Sequence, residues 1–238
     1  TNDIKFRRLQ LQKLLNIIKL NEGLLYEAIY EDFGKSEFVS YITELGLIYS
    51  EIKLAIKKLP KWSKRRKVGS DIANLPGRSF IEPEPFGVCL IIGTWNYPVQ
   101  LSILPAVSAI AAGNTIIIKP SELASNSSKV MAEILNSAFD EQFLKVIEGG
   151  VDVSTELLKQ KFDKIFYTGG SSVGKIVMKA AAENLCPVVL ELGGKSPAFV
   201  LEDANLKMAA KRIAFGKFIN GGQTCVAPDY ILIKKEIK

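Results

Sequence analysis

Histidine is missing from all 238 residues of the chain. That absence removes the Ser-His-Asp and Cys-His nucleophile pairs. No CxxC pair is present either, which leaves little from which to build a zinc or iron site. Cysteine is scarce: three residues, odd in number and far apart, argue against a disulfide framework and for a reducing, cytoplasmic compartment. Charge is absent from Pro85 to Ile118, a run long enough to cross a bilayer. Asn96, Pro98, Gln100, Pro105, Gly113 and Asn114 break that run into strand- and helix-sized pieces, so it reads as a buried unit of a parallel sheet rather than a membrane segment. The first twenty residues are charged and helix-patterned, unlike a signal peptide.

With 47% hydrophobic and 24% charged residues, the chain is globular and long enough to bury a core in one or two domains. The net charge of +6 is spread mostly along helices. Its one dense basic run, Lys61 to Lys67, reads as a solvated loop, so no nucleic-acid partner is expected. Helical stripes run through Leu9, Leu11, Leu14, Leu15 and Ile18, and through Leu24, Leu25, Ala28 and Ile29 to Gly34. A third helix is predicted from Glu37 to Leu59, stopping before Pro60, followed by a connector to Pro76. From Ser79 onward strands and helices alternate. Strands are predicted at 87–92, 115–119, 143–147, 164–167 and 187–191, with helices at 99–112, 127–139, 154–160 and 173–184. The expectation is an α/β fold with a doubly wound, parallel five-stranded sheet behind N-terminal helices. Its ligands would bind at the carboxyl ends of the strands. The chain starts without methionine and ends just after a strand-like run, Tyr230–Ile233, which reads as a piece of a longer polypeptide.

Candidate chemistry sits at those strand ends. Cys225, in Asn220-Gly221-Gly222-Gln223-Thr224-Cys225, is flanked by small and polar residues, as a loop-borne nucleophile would be. Cys89 and Cys186 lie in apolar surroundings and read as inert. Without imidazole the proton acceptor must be a carboxylate, and Glu191, in Leu190-Glu191-Leu192-Gly193-Gly194, is the best placed. Asn96 is either a turn residue or an amide donor to a bound oxygen. Lys119 and Glu122 fit a ribose-binding pair, while Ser121 and Glu122 equally fit the cap and first turn of a helix. Gly169 to Lys175 fits GxxxxGK, but Ile176 stands where a P-loop needs Ser or Thr for Mg²⁺. A P-loop-like nucleotide hydrolase therefore stays as a rival reading.

Taken together, Gly93–Pro98, Lys119–Glu122, Thr168–Gly174, Glu191–Lys195 and Asn220–Cys225 stand in the order and spacing of the aldehyde dehydrogenase superfamily, which Phe86 to Pro228 resembles throughout. The run Gly222–Tyr230 is most similar to the class-three branch, which handles fatty and aromatic aldehydes. The resemblance implies a Rossmann-like coenzyme domain with its helices over residues 1–192, and the start of a catalytic domain over 193–238. It implies NAD(P)-dependent oxidation of an aldehyde through a thiohemiacetal and a thioester on Cys225. Asn96 and the Cys225 N–H would hold the oxyanion, Glu191 would activate water, and no metal would be used. It implies NAD or NADP held by Trp95, Lys119, Glu122, Gly169, Ser171, Gly174 and Leu192, and a homodimer for the full-length form. In the family a second glutamate that grips the nicotinamide ribose follows later, so residues 1–238 alone are expected to fold the coenzyme domain but turn over poorly. A non-catalytic, NAD-binding fragment of the same fold is the other alternative.

Overall fold

A computed structural model describes residues 3–237. The chain opens with helices that bury one stripe each. In α1 (Ile4–Leu20) the buried residues are Leu11, Leu14, Leu15 and Ile18, at helical spacing, and Asp3 caps the first turn by accepting from the Lys5 N–H. Helix α2 (Glu22–Phe33) stops at Gly34, whose φ of 65° lies in the left-handed region that glycine enters without strain.

The next helix departs from expectation twice. It starts as α3 (Glu37–Ser40), passes through a π-helical turn at Tyr41–Leu45 and continues as α4 (Gly46–Trp62). Pro60 therefore sits inside the last turn instead of ending the helix. One hydrogen bond is lost there, but Ile52, Ala55 and Leu59 remain buried against the core, and that packing outweighs the break. The predicted connector is also partly ordered. Its β1 (Arg66–Val68) pairs antiparallel with β2 (Ser79–Ile81), and Arg65 lies 4.0 Å from the Phe80 ring. Three-residue strands are too short to show an alternating pattern.

The α/β unit follows the expected order: β3 (Val88–Ile92), α5 (Gln100–Ala112), β4 (Thr115–Lys119), α6 (Ser125–Ala138), β5 (Leu144–Val146), α7 (Val151–Leu158), β6 (Lys164–Gly169), α8 (Ser171–Glu183) and β7 (Val188–Leu192). All five strands are parallel, in the order β5-β4-β3-β6-β7. Central β3 shows why its sequence is apolar without alternation: both of its faces are covered. Ile91 packs into the core formed with α1, α4, α5 and α6, whereas Leu90 and Ile92 pack with Leu157, Phe162, Tyr167 and Val177 on the other side. Strand order reverses between β3 and β6, which opens a crevice at their carboxyl ends.

The helical layer is tied to the sheet layer by polar contacts. Asp32 of α2 accepts from the Asn126 N–H (3.1 Å), Asn126 Nδ2 (2.9 Å) and the Ser127 N–H (2.8 Å), capping α6 from outside. The alternative reading of Ser121 as a helix cap is not realised. Because α6 begins only at Ser125, Ser121 Oγ accepts from the Leu123 N–H in a turn, and Glu122 lies before the helix. Beyond the sheet, β8 (Pro197–Val200), α9 (Leu206–Phe218) and β9 (Tyr230–Ile233) form a separate βαβ unit with parallel strands. Among the described residues no helix is long and apolar enough to cross a membrane.

Candidate active site

Two loops make the site, and the crevice brings them together. One follows β3 and carries Trp95 and Asn96; the other follows α9 and carries Cys225. The cysteine loop turns sharply because Asn220, Gly221 and Gly222 have φ of 56°, 61° and 80°, a run of left-handed residues that asparagine and glycine tolerate best. Hydrogen bonds lock the loops to each other. Asn220 Nδ2 donates to the Asn96 carbonyl (2.7 Å), and Asn96 Nδ2 donates to the Gln223 carbonyl (2.7 Å). The Tyr97 hydroxyl meets Thr224 Oγ1, and Gln223 Nε2 donates to the Asn220 carbonyl at 2.9 Å. An amide carries two N–H bonds, so Asn96 keeps one for another acceptor. The Cys225 N–H has no hydrogen-bond partner among the described residues.

Cys225 is exposed, whereas Cys89 is buried and Cys186 half-buried. Burial, reinforced by the charge of Asp163, pushes the Cys89 thiol up to about 11, and burial also raises Cys186. Both are held in the neutral, unreactive form at neutral pH. Glu191, near the carboxyl end of β7, is exposed and lies opposite Thr168 of β6.

A cavity of about 870 Å³ joins these groups. Asn96, Cys225 and Glu191 line it, as do Trp95, Lys119, Glu122, Gly169 and Leu192. Ser171 and Gly174 do not. Ser171 is the exposed first residue of α8, and Gly174 is buried one turn later, where a Cβ would come within 3.0 Å of Leu192 Cδ2. Gly174 thus sets how closely α8 approaches β7 rather than forming the cavity wall. The helical start at Ser171 also counts against the P-loop rival. A P-loop needs its GxxxxG stretch as a loop around phosphate, but here Ser171 to Gly174 are already helix.

Charged and polar groups line the cavity at the ends of β4 and β6. Lys119, buried at the end of β4, donates to Glu122 Oε2 at 2.6 Å. Partial burial works to raise the Glu122 carboxyl, but the Lys119 ammonium outweighs it and holds the group below the ordinary carboxylate range. No side chain caps the first turn of α8, which leaves its N–H groups without a side-chain acceptor, the arrangement that favours negative charge at a helix start. Thr168 Oγ1, on the cavity wall, is buried without a hydrogen-bond partner, as a group awaiting a ligand would be. Among the described residues no cluster of His, Cys, Asp or Glu could hold a metal ion.

Reading the sequence missed several participants. Buried Lys35 and Glu44 lie behind the Asn96 loop, Asn220 and Gln223 hold that loop through hydrogen bonds, and Thr168 places an unpartnered hydroxyl on the cavity wall. Only the Asn-Gly-Gly run carried a local signal, a turn, and its partner in the Asn96 loop lies more than a hundred residues away.

The profile of the aldehyde dehydrogenase family matches residues 2–238. The chain is 50% identical over 238 residues to the 4,4'-diaponeurosporen-aldehyde dehydrogenase of Staphylococcus aureus, covering 100% of this chain and 52% of that protein. It is 48% identical over 238 residues to the dimeric NADP-preferring aldehyde dehydrogenase of Canis lupus familiaris, again covering 100% and 52%. Among solved structures, the substrate-bound state of Staphylococcus aureus AldH superimposes with a TM-score of 0.97 at 50% identity, over 99% of this chain and 52% of that one. A Mycobacterium tuberculosis aldehyde dehydrogenase complexed with NAD+ does so with a TM-score of 0.88 at 27% identity, over 98% and 48%. The chain therefore spans about half the length of the curated relatives it matches.

Proposed function

The chain belongs to the aldehyde dehydrogenase family, and from that premise we propose that it carries the nucleophile and the coenzyme site for NAD(P)-dependent oxidation of an aldehyde to a carboxylic acid. One observation carries this reading: Cys225, Asn96 and Glu191 line a single cavity that runs on to the Lys119–Glu122 pair. Cys225, as thiolate, attacks the aldehyde carbon to form a thiohemiacetal. The free N–H of the Asn96 amide and the Cys225 N–H receive the developing oxyanion, and losing one such donor costs roughly 10²–10³ in rate. A nicotinamide cofactor bound in this cavity would supply the hydride acceptor. Once the thiohemiacetal has given up its hydride, a thioester remains on Cys225. Glu191, open to solvent, takes a proton from water as the water attacks that thioester, and the carboxylic acid leaves with the thiolate restored.

Lys119 and Glu122 would hold the adenosine ribose of the cofactor, the start of α8 after Gly169 would take its pyrophosphate, and Trp95 and Leu192 would line its path toward Cys225. Ser171 contributes through its N–H at the helix start, and Gly174 through the close approach of helix and strand. Glu122, kept ionised by Lys119, repels a 2′-phosphate and leans the site toward NAD, with NADP as the alternative that one relative's name supports. The separate β8–β9 sheet supports reading residues 193–238 as the start of a catalytic domain joined to the coenzyme domain of residues 1–192. A small aldehyde substrate, a homodimeric full-length form and a cytoplasmic site of action complete the proposal. A relative named dimeric supports the second, and three unpaired cysteines support the third.

The test follows the appearance of reduced nicotinamide with a long-chain or aromatic aldehyde, using the polypeptide that carries these residues. Cys225→Ala should abolish it, and Asn96→Ala should lower kcat by roughly 10²–10³. Full activity in Cys225→Ala would refute the reading.

A further inference from the structure

Behind Asn96 lies an ion pair that the chemistry above does not use. Lys35 Nζ and Glu44 Oε1 are 2.7 Å apart, with side chains 6% and 0% exposed. Glu44 Oε2 accepts from the N–H groups of Val99 (3.0 Å) and Gln100 (3.2 Å), so a carboxylate from the π-helical turn caps the start of α5. Helix α5 has no side-chain cap of its own. Lys35 Nζ also reaches the Asn96 carbonyl at 3.4 Å, the oxygen that accepts from Asn220, and lies 4.8 Å from the Tyr97 ring centroid. Every residue from Asn96 to Gln100 except Pro98 is therefore touched by this pair or by the cysteine loop.

A buried ion pair is a poor way to gain stability, because desolvating two charges offsets most of their attraction. The location of this one is informative. The pair sits at a π-helical turn, a costly irregularity that recurs at functional sites, where Thr43, Glu44 and Leu45 are buried in succession. We propose that Lys35 and Glu44 are positioning residues for the oxyanion donor. They fix the backbone of the Asn96–Gln100 loop, so that the amide N–H left over from the Gln223 contact points at the oxygen of the substrate on Cys225. This rests on the assignment of Asn96 and Cys225 proposed above.

The test uses two reactions of one thiol. With 4-nitrophenyl acetate, Cys225 sulfur bonds to the carbonyl carbon, an oxyanion forms, and the bond to 4-nitrophenolate breaks to leave a thioester. With iodoacetamide, sulfur bonds to the methylene carbon as iodide leaves, and no oxyanion forms. Rates of both are read on Cys225 by peptide mass spectrometry in wild type, Asn96→Ala, Glu44→Gln and Lys35→Met. The double variant Lys35→Met/Glu44→Gln leaves no orphaned charge and is the one to read if either single variant fails to fold. The expected result is acylation slowed about 10²-fold in Asn96→Ala and about 10-fold in the pair variants, with alkylation unchanged within about twofold. Unchanged acylation in the pair variants while Asn96→Ala is slow would overturn the positioning role alone. Equal losses in acylation and alkylation would reduce the pair to a general structural element and also overturn it. Unchanged acylation in Asn96→Ala would remove the oxyanion role itself, and the positioning role with it.

Discussion

The three cysteines give the most direct check on which thiol is available for chemistry. The perturbation is limiting iodoacetamide on the native protein at about pH 8. Alkylation needs thiolate, and Cys89, held at a pKa of about 11, has about one thiolate in a thousand molecules at that pH. A cysteine of the denatured chain, with the ordinary pKa of about 8.5, is about one-quarter ionised under the same conditions. The ratio is about 200-fold before access is considered, and Cys89 is only 5% exposed, so its slowdown should exceed that figure. Cys186 is half-buried with its Sγ directed at the Pro187 carbonyl, and should fall between Cys89 and the exposed Cys225. Time-resolved peptide mass spectrometry reads all three sites at once, and a denatured sample, in which all three should label alike, sets the scale. If native Cys89 reacts within about tenfold of its own rate in the denatured sample, the burial assigned to β3 and the order of reactivity argued from it are wrong.

Other outcomes follow from single contacts. Gly169→Ala puts a Cβ 2.3 Å from the hydroxyl oxygen of buried Tyr167, which should cost about 1–3 kcal/mol and weaken NAD binding in a fluorescence titration. Gly170→Ala, with nothing within 4 Å of its Cβ, should leave stability nearly unchanged. Asp32→Ala removes a carboxylate that accepts three hydrogen bonds at the start of α6, and should lower unfolding free energy in urea by about 1–2 kcal/mol. Glu122→Gln removes the charge that opposes a 2′-phosphate and should shift the NADP-to-NAD affinity ratio toward NADP by about tenfold in competitive titrations. The folded Glu122 carboxyl lies below its unfolded value, so its contribution to stability is present above about pH 4.3 and is lost as pH falls through the folded value. Glu122 should accordingly add no pH dependence to NAD affinity above about pH 5.3, a full unit higher, and an NAD affinity lost between pH 6 and pH 8 in wild type but not in Glu122→Gln would contradict it.

Much of the sheet was legible because its signals are local. The apolar run around Cys89–Ile92, the helix that follows it and the glycines at strand ends are written in neighbouring residues, and the structure keeps those elements with boundaries within three positions of expectation. Pro60 and Ser121 misled for the same reason. Proline ending a helix and serine starting one are local preferences, and here packing of Leu59 and a distant carboxylate, Asp32, overruled them. The hairpin strands at Arg66–Val68 and Ser79–Ile81 left no pattern to read, because three residues do not make a period.

By itself the sequence determined the layer architecture, the absence of imidazole chemistry and the residue types at the strand ends, since composition, periodicity and turn residues act over a few positions. Only the tertiary structure decided which of those residues meet. It brought Asn96 to Gln223 and Asn220 across more than a hundred residues, turned Gly174 of α8 toward Leu192 instead of onto the cavity wall, and buried Lys35 and Glu44 together behind the loop. Charged residues are exposed by default, and a lysine and a glutamate nine positions apart carry no sign of burial. They are held inside because each finds the other, and two backbone N–H groups of another helix, at the same point in space.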